Sequence, residues 1–252
     1  MGNILKKIFS SFVALTTIAW SVGIGTMALP TAARAATAGD LIKASGPAVY
    51  YYAADGKRYV FPNEKTYFSW FVDFSGVRTI SDTELASYLI GGNATIRPGT
   101  RLVKIQTDPK VYAVTLGGVL HWVESEAIAI SLYGATWAQR VVDVPDSFFV
   151  NYTIGSSVST AVHPSGTVVQ YAGSTTRYVV DGGQKRMIAS DAVYAANGFN
   201  PAFAITTSIT YPDHASNVNS RECALADVIA ICGVIPVGGD LVVSLASDTP
   251  AA

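Results

Sequence analysis

Charge is scarce in this chain. Asp, Glu, Lys and Arg make up only 14% of its 252 residues, against about a quarter in ordinary soluble domains. No basic run exceeds two residues and the formal net charge is −1, which excludes nucleic acid as a partner, since that needs a positive stripe. Cysteine is nearly absent: Cys223 and Cys232 are the two, too few for a disulfide framework and without a nearby histidine to complete a metal site. Three histidines, His121, His163 and His214, are all that acid–base chemistry could draw on. His-x-x-x-His, Cys-x-x-Cys and Gly-x-Ser-x-Gly are missing, and Gly91-Gly92 lacks the Lys and Ser/Thr of a phosphate loop. Asp213-His214 with Ser216 offers the residue types of a hydrolytic triad, but neighbours in sequence do not make triad geometry. Glu124 and Glu126 sit at a helix entry, where acids favour the helix dipole, rather than facing each other across a glycosidic bond. Asp55, Asp108 and Asp181 fall one per turn, without the alternating oxygens of a calcium loop. The chain reads as non-enzymatic, with no cofactor.

Long apolar runs are confined to the start. Lys6 and Lys7 precede an apolar stretch from Ile8 to Leu29, Pro30 breaks it, and Ala33-Arg34-Ala35 places small residues where a signal peptidase reads. Residues 1–35 are expected to be a signal peptide cleaved after Ala35. The alternative is an uncleaved anchor, since about 20 apolar residues span a bilayer; the membrane would then be met through this segment only. Removal takes the 17 basic residues to 14 against 18 acidic ones, a net charge of −4. In an oxidising compartment Cys223 and Cys232 are expected to form one disulfide.

What the chain has in place of charge is a recurring phrase. A glycine opens an apolar strand, a tyrosine-bearing strand follows, a turn reverses it, and a third strand runs into a short helix. The copies begin at Gly39, Gly99 and Gly166; their tyrosines are Tyr50, Tyr112 and Tyr178, and their turns Asp55-Gly56, Gly117-Gly118 and Asp181-Gly182. Asp-Gly between two β-type runs is a strong hairpin signal, because both turn residues must accept positive φ. Asn63, Ser125 and Ser190 are placed to cap the helices, and Ser81 with Glu84 forms a capping box for a further helix from Asp82 to about Leu89. Tyr88-Leu89-Ile90-Gly91 matches Tyr152-Thr153-Ile154-Gly155, 64 residues on. Beyond Ile209 the match fades, as terminal repeats do. The fold class implied is α+β and β-rich: repeat units at 36–98, 99–162 and 163–212, a loop segment with the cysteines at 213–236, and the first strand of a β-sandwich domain or a tail at 237–252.

The aromatics are the one candidate binding constellation. In three adjacent tyrosines on a strand, Tyr50 and Tyr52 face one side and Tyr51 the other. Either one face is core, or Tyr50, Tyr51, Tyr52, Tyr112, Trp122 and Tyr178 contribute to an exposed strip that stacks on sugar rings. Burial is expected for Tyr112 and Tyr178, and exposure for one of Tyr51 or Tyr52.

Ser45-Gly46-Pro47-Ala48-Val49-Tyr50 and Asp181-Gly182-Gly183-Gln184-Lys185-Arg186-Met187-Ile188 resemble a tandem repeat of bacterial secreted and cell-envelope proteins. That repeat reads roughly Gly-Ser-Gly, a Val-Tyr pair, then Gly-x-Lys-Arg before a short helix. Gly238-Gly239-Asp240-Leu241-Val242-Val243-Ser244-Leu245 is similar to the opening strand of β-sandwich domains in large surface-layer-like proteins. The resemblance covers about 170 residues and implies an envelope location and a structural or adhesive role. It carries over no site residues, and the second unit departs from it with Val119-Leu120 near the place of the basic pair. The expected partner is a cell-wall or surface polysaccharide, or a neighbouring envelope protein. A carbohydrate-binding module that targets a separate catalytic domain is the alternative.

Overall fold

The computed structural model describes residues 34–232 and two short strands at 236–237 and 240–241. Most of the segment expected to be a signal peptide, and most of the strand expected at Leu241–Leu245, lie outside the described residues. Among the described residues, those from Ala36 onward make one compact unit. The fold is α+β and β-rich, with three sheets of four or five strands among the described residues, besides the pairing of the two short strands.

The first sheet takes β1 (Leu41–Lys43), β2 (Tyr50–Tyr52), β3 (Lys57–Val60), β4 (Val77–Thr79) and β5 (Leu89–Asn93) in the order β4-β1-β2-β3-β5. β1, β2 and β3 form an antiparallel meander, while β4 and β5 add parallel to its two edges. Parallel addition needs a crossover, and α1 (Glu64–Trp70) and α2 (Asp82–Ser87) provide them. The second sheet contains β6 (Leu102–Ile105), β7 (Asp108–Thr115), β8 (Val119–Trp122), β9 (Val141–Asp143) and β10 (Thr153–Ile154), with helices α3 (Glu126–Tyr133) and α4 (Asp146–Phe149). Its order, β10-β8-β7-β6-β9, follows the same connections, with parallel outer strands again. The third sheet, β13-β12-β11-β14, joins β11 (Val168–Tyr171), β12 (Arg177–Asp181), β13 (Gln184–Met187) and β14 (Ile205–Thr207), with α5 (Asp191–Ala196) after β13. Parallel bridges Lys185↔Asp213 and Ile188↔Val218 run along β13 in the place of a fifth strand.

One backbone contact opens every sheet. Gly39, Gly99 and Gly166 adopt φ of 95°, 70° and 93°, a region that L side chains rarely enter. Each donates its N–H to a carbonyl on the second strand: Tyr52 O at 2.8 Å, Val114 O at 3.2 Å and Val180 O at 2.9 Å. The long helices are capped alike, Asn63, Ser125 and Ser190 accepting from the N–H of Thr66, Ile128 and Val193.

Each sheet is covered on one face, and the second and third on the other face as well. On one, α1, α3 and α5 enclose clusters that include Leu41, Tyr51 and Tyr67, then Leu102, Leu132 and Tyr133, then Val168, Val179 and Tyr194. On the other, Ile96, Val103 and Leu120 pack with Phe148 and Phe149, and Val169 and Val180 pack with Tyr211. Full burial of each such aliphatic side chain contributes about 1.5–3 kcal/mol.

Two expectations need correction. The helix begun at Asp82 stops at Ser87 rather than Leu89, and Leu89–Asn93 is a strand. The open edge of β3 needs partners for its backbone groups, and this run supplies them; Gly91 lets it approach, since a Cβ there would lie 2.3 Å from the Tyr59 ring. The Ser81–Glu84 box closes on one side: Ser81 Oγ accepts from Glu84 N–H, while the Glu84 carboxylate takes the N–H of Ala36 and the hydroxyl of Tyr88.

Candidate functional site

The strand pairing puts Tyr50, Tyr112 and Tyr178 at one register position, opposite Ile42, Val103 and Val169. Their surroundings differ. Tyr50 is half-buried under the Arg58 guanidinium, 5.0 Å from its ring centre. Tyr112 is 5% exposed, packed among Val103, Val114 and Leu120, with its hydroxyl 3.4 Å from Asp108 Oδ2. Tyr178 is half-buried, 5.7 Å from the Tyr171 ring and 5.7 Å from Lys185 Nζ.

Tyr51 faces the other way, as strand alternation requires. It is 3% exposed, and its hydroxyl donates to Asp227 Oδ2 at 2.5 Å. Burial first, then the Asp227 carboxylate, pushes the phenol well above its ordinary range. Tyr52 is half-buried against Tyr88, ring centres 4.5 Å apart. Trp122 is 36% exposed beneath Lys110 Nζ, which stands 5.2 Å from the ring. The six aromatics therefore do not line up as one continuous exposed strip. Tyr51 and Tyr112 are core, as was expected of Tyr112, and Tyr178 is covered only in part.

The polar candidates are occupied within the fold. His163 is 1% exposed: Nε2 meets Leu132 O at 2.7 Å and Nδ1 meets Tyr211 Oη at 2.5 Å. Burial lowers its pKa below the ordinary histidine value. His121 sits between Thr115 Oγ1 at 2.8 Å and Ser156 O at 2.6 Å. His214 Nδ1 lies 3.2 Å from Ser216 Oγ, but Asp213 is held by Lys185 Nζ at 2.9 Å, so no relay of three groups forms. The basic pair of the third unit holds the chain's later segment, Arg186 gripping Glu222 with two bonds of 2.9 and 2.7 Å. Arg58 and Tyr59 in the first sheet, and Leu120 and His121 in the second, hold the equivalent register. Among the described residues no three His, Cys, Asp or Glu side chains gather as metal ligands, and no helix is long and apolar enough to cross a membrane.

One residue went unremarked in the sequence. Arg97 is 3% exposed; its guanidinium donates to Gly198 O, to Asn197 O at 2.7 Å and to Leu225 O at 2.8 Å. It also lies 5.0 Å over Trp70 and 4.9 Å over Phe199. Burial lowers its pKa to about 10. The sequence carried one signal: Arg97 stands two residues before an opening glycine, where the equivalent positions hold Thr37 and Pro164. Cys223, which begins α6 (Cys223–Ala226), and Cys232 are at disulfide distance, with Cα atoms 5.6 Å apart. Between them Val228, Ile229 and Ile231 pack into the core of the first sheet. Comparison with protein-family models and with curated proteins gives no match.

Proposed function

We propose that this chain is an exported, non-enzymatic module of a bacterial envelope, built from three tandem copies of one hairpin-plus-helix unit. Its role on this reading is structural or adhesive, as a rigid array that displays surface rather than a catalytic pocket. The observation that carries the repeat is the opening-glycine bond, made to the same register position in each of the three sheets. Side chains of chemical interest are spent on holding these units together: Arg97 on carbonyls, His163 between Tyr211 and Leu132, Tyr51 on Asp227. Export is supported by the Ala33-Arg34-Ala35 site and by the cysteine pair at disulfide distance.

A second reading, a module that binds wall polysaccharide, is favoured by the exposed face of Trp122. The experiment is expression of the full chain in a bacterial host, followed by fractionation and intact mass. The expected product begins at Ala36 and sediments with the wall fraction. A full-length product that stays inside the cell would overturn the proposal.

A further inference from the structure

Two arginines without a carboxylate partner among the described residues share one cavity. Arg101 and Arg140 line a cavity of about 460 Å3 where elements from all three sheets' units meet: Phe68 and Phe71 at the end of α1, the 3-10 turn Trp137–Arg140, and the 3-10 turn Pro201–Phe203. That volume falls within the roughly 300–1,000 Å3 typical of small-molecule sites. Arg101 lies 5.1 Å over the Phe203 ring, and its Nε is buried with no hydrogen-bond partner. Arg140 Nη1 donates to Thr100 O at 3.1 Å and to Phe203 O at 3.4 Å. Both guanidiniums are thus held at Phe203 and the start of β6. No carboxylate lines the cavity, and among the described residues neither arginine forms an ion pair.

The arrangement has an electrostatic cost. Burial lowers the pKa of both groups; at Arg140 Tyr133 opposes that lowering and the charge of Arg101 adds to it. Two cations gathered in a partly dry pocket repel unless an anion answers them. A guanidinium fork fits a planar carboxylate with two parallel bonds. The remaining walls limit what carries that carboxylate. Phe68, Phe71 and Phe203 line it with apolar surface, Phe203 with Arg101 over one face of its ring. The Gln139 and Asn200 amides add polar groups suited to hydroxyls, Asn200 Oδ1 already accepting from Ala202 N–H.

We infer that this junction cavity binds an acidic saccharide, a sugar ring bearing a carboxylate that bridges Arg101 and Arg140 while its apolar face lies on the phenylalanines. The need for an oxyanion rests on the cavity alone, and the sugar class rests on the wall-binding reading above. An inorganic oxyanion would use the arginines and leave the aromatic walls idle. The ligand site is thereby moved from the hairpin tyrosines to the junction of the units.

The test is calorimetric titration of the purified full chain with galacturonate and glucuronate oligosaccharides. Neutral glucose oligosaccharides, inorganic phosphate and a glutamate-rich peptide serve as separate arms. Binding of the uronates is expected, with neutral sugars silent and phosphate and peptide at least tenfold weaker. Arg101→Gln should weaken uronate binding about 10- to 100-fold, the range of a lost charged hydrogen-bond pair, with the melting temperature unchanged. If that variant fails to fold, Arg101→Lys and Arg140→Lys, which keep charge and lose the fork, should each weaken it at least several-fold. Equal binding of phosphate, tighter binding of the peptide, equal binding of neutral sugar, or uronate affinity untouched by the substitutions would each overturn the inference. Wall association with no uronate binding would sink the cavity and spare the wall-binding reading. Uronate binding without wall association would do the reverse.

Discussion

Methionine in place of Arg97 keeps the length and apolar stem of the side chain and deletes its donors. The carbonyls of Asn197, Gly198 and Leu225 would then lose the partner that the guanidinium gives each of them. A buried acceptor without a donor costs about 1–3 kcal/mol, so the three together come to about 6 kcal/mol at mid-range. Loss of the contacts over Trp70 and Phe199 adds about 2 kcal/mol. Against this stands the cost of burying the charge. The fall in the Arg97 pKa from 12.5 to about 10 corresponds to about 3 kcal/mol, which methionine recovers. The net expectation is a loss of about 3–6 kcal/mol. For a domain of this size each kcal/mol moves the melting temperature by about 2–4 °C, so Arg97→Met should melt about 10–20 °C lower in scanning calorimetry. Arg97→Lys, with a charge but no fork, should fall between the two. A drop under about 3 °C for Arg97→Met would refute the idea that this residue ties the units together.

His163 makes the fold acid-sensitive: its folded pKa lies below the ordinary 6.5, so the unfolded chain takes up the proton more readily and stability falls as pH drops below about 6.5 toward the lowered value. Urea midpoints should slope downward across that window in the wild type and flatten in His163→Gln; parallel slopes would contradict this. Tyr112→Ala should cost about 3–5 kcal/mol, as for large buried aromatics, and Tyr178→Ala clearly less because Tyr178 is only half-buried; equal losses in chemical denaturation would count against the assigned environments. Alkylation of the unreduced, denatured protein isolated from an oxidising compartment should add no label at Cys223 or Cys232, and two labels per chain would show the bridge to be absent.

The hairpins were legible because their signals are local. Gly56 and the pair Gly182-Gly183 take positive φ at the turns, while Asp55 and Asp181, expected to share it, do not; Asn63, Ser125 and Ser190 cap within three residues of themselves. Of the outer parallel strands, Val77–Thr79 and Val141–Asp143 read as apolar strands in the sequence, whereas β5 and β10 did not, because nothing near Leu89 or Thr153 states that β3 and β8 have an open edge to fill. The same reason hid Tyr211-Pro212-Asp213, which pairs along β13 as Tyr88-Leu89-Ile90 does along β3. Aromatic density pointed to the hairpin strands but could not rank their faces. That ranking depends on Asp227, 176 residues from Tyr51 in the chain. Arg97 and the Arg101–Arg140 cavity are set by contacts between units, which no single unit's pattern records.

The segment from Glu222 to Cys232 touches both ends of the array. Arg186 holds Glu222 and Leu225 packs with the core of the third sheet, while Val228 and Asp227 engage the first. An open stack of units can gain or lose a member by gene duplication or deletion, because each new unit meets only its neighbours. Here the first and third sheets share one segment, Leu225 packing with the third and Val228 with the first, so neither sheet is held by its chain neighbour alone. Removal of the segment would uncover the first sheet's core at Val228 and free Arg186 from Glu222 at the same time.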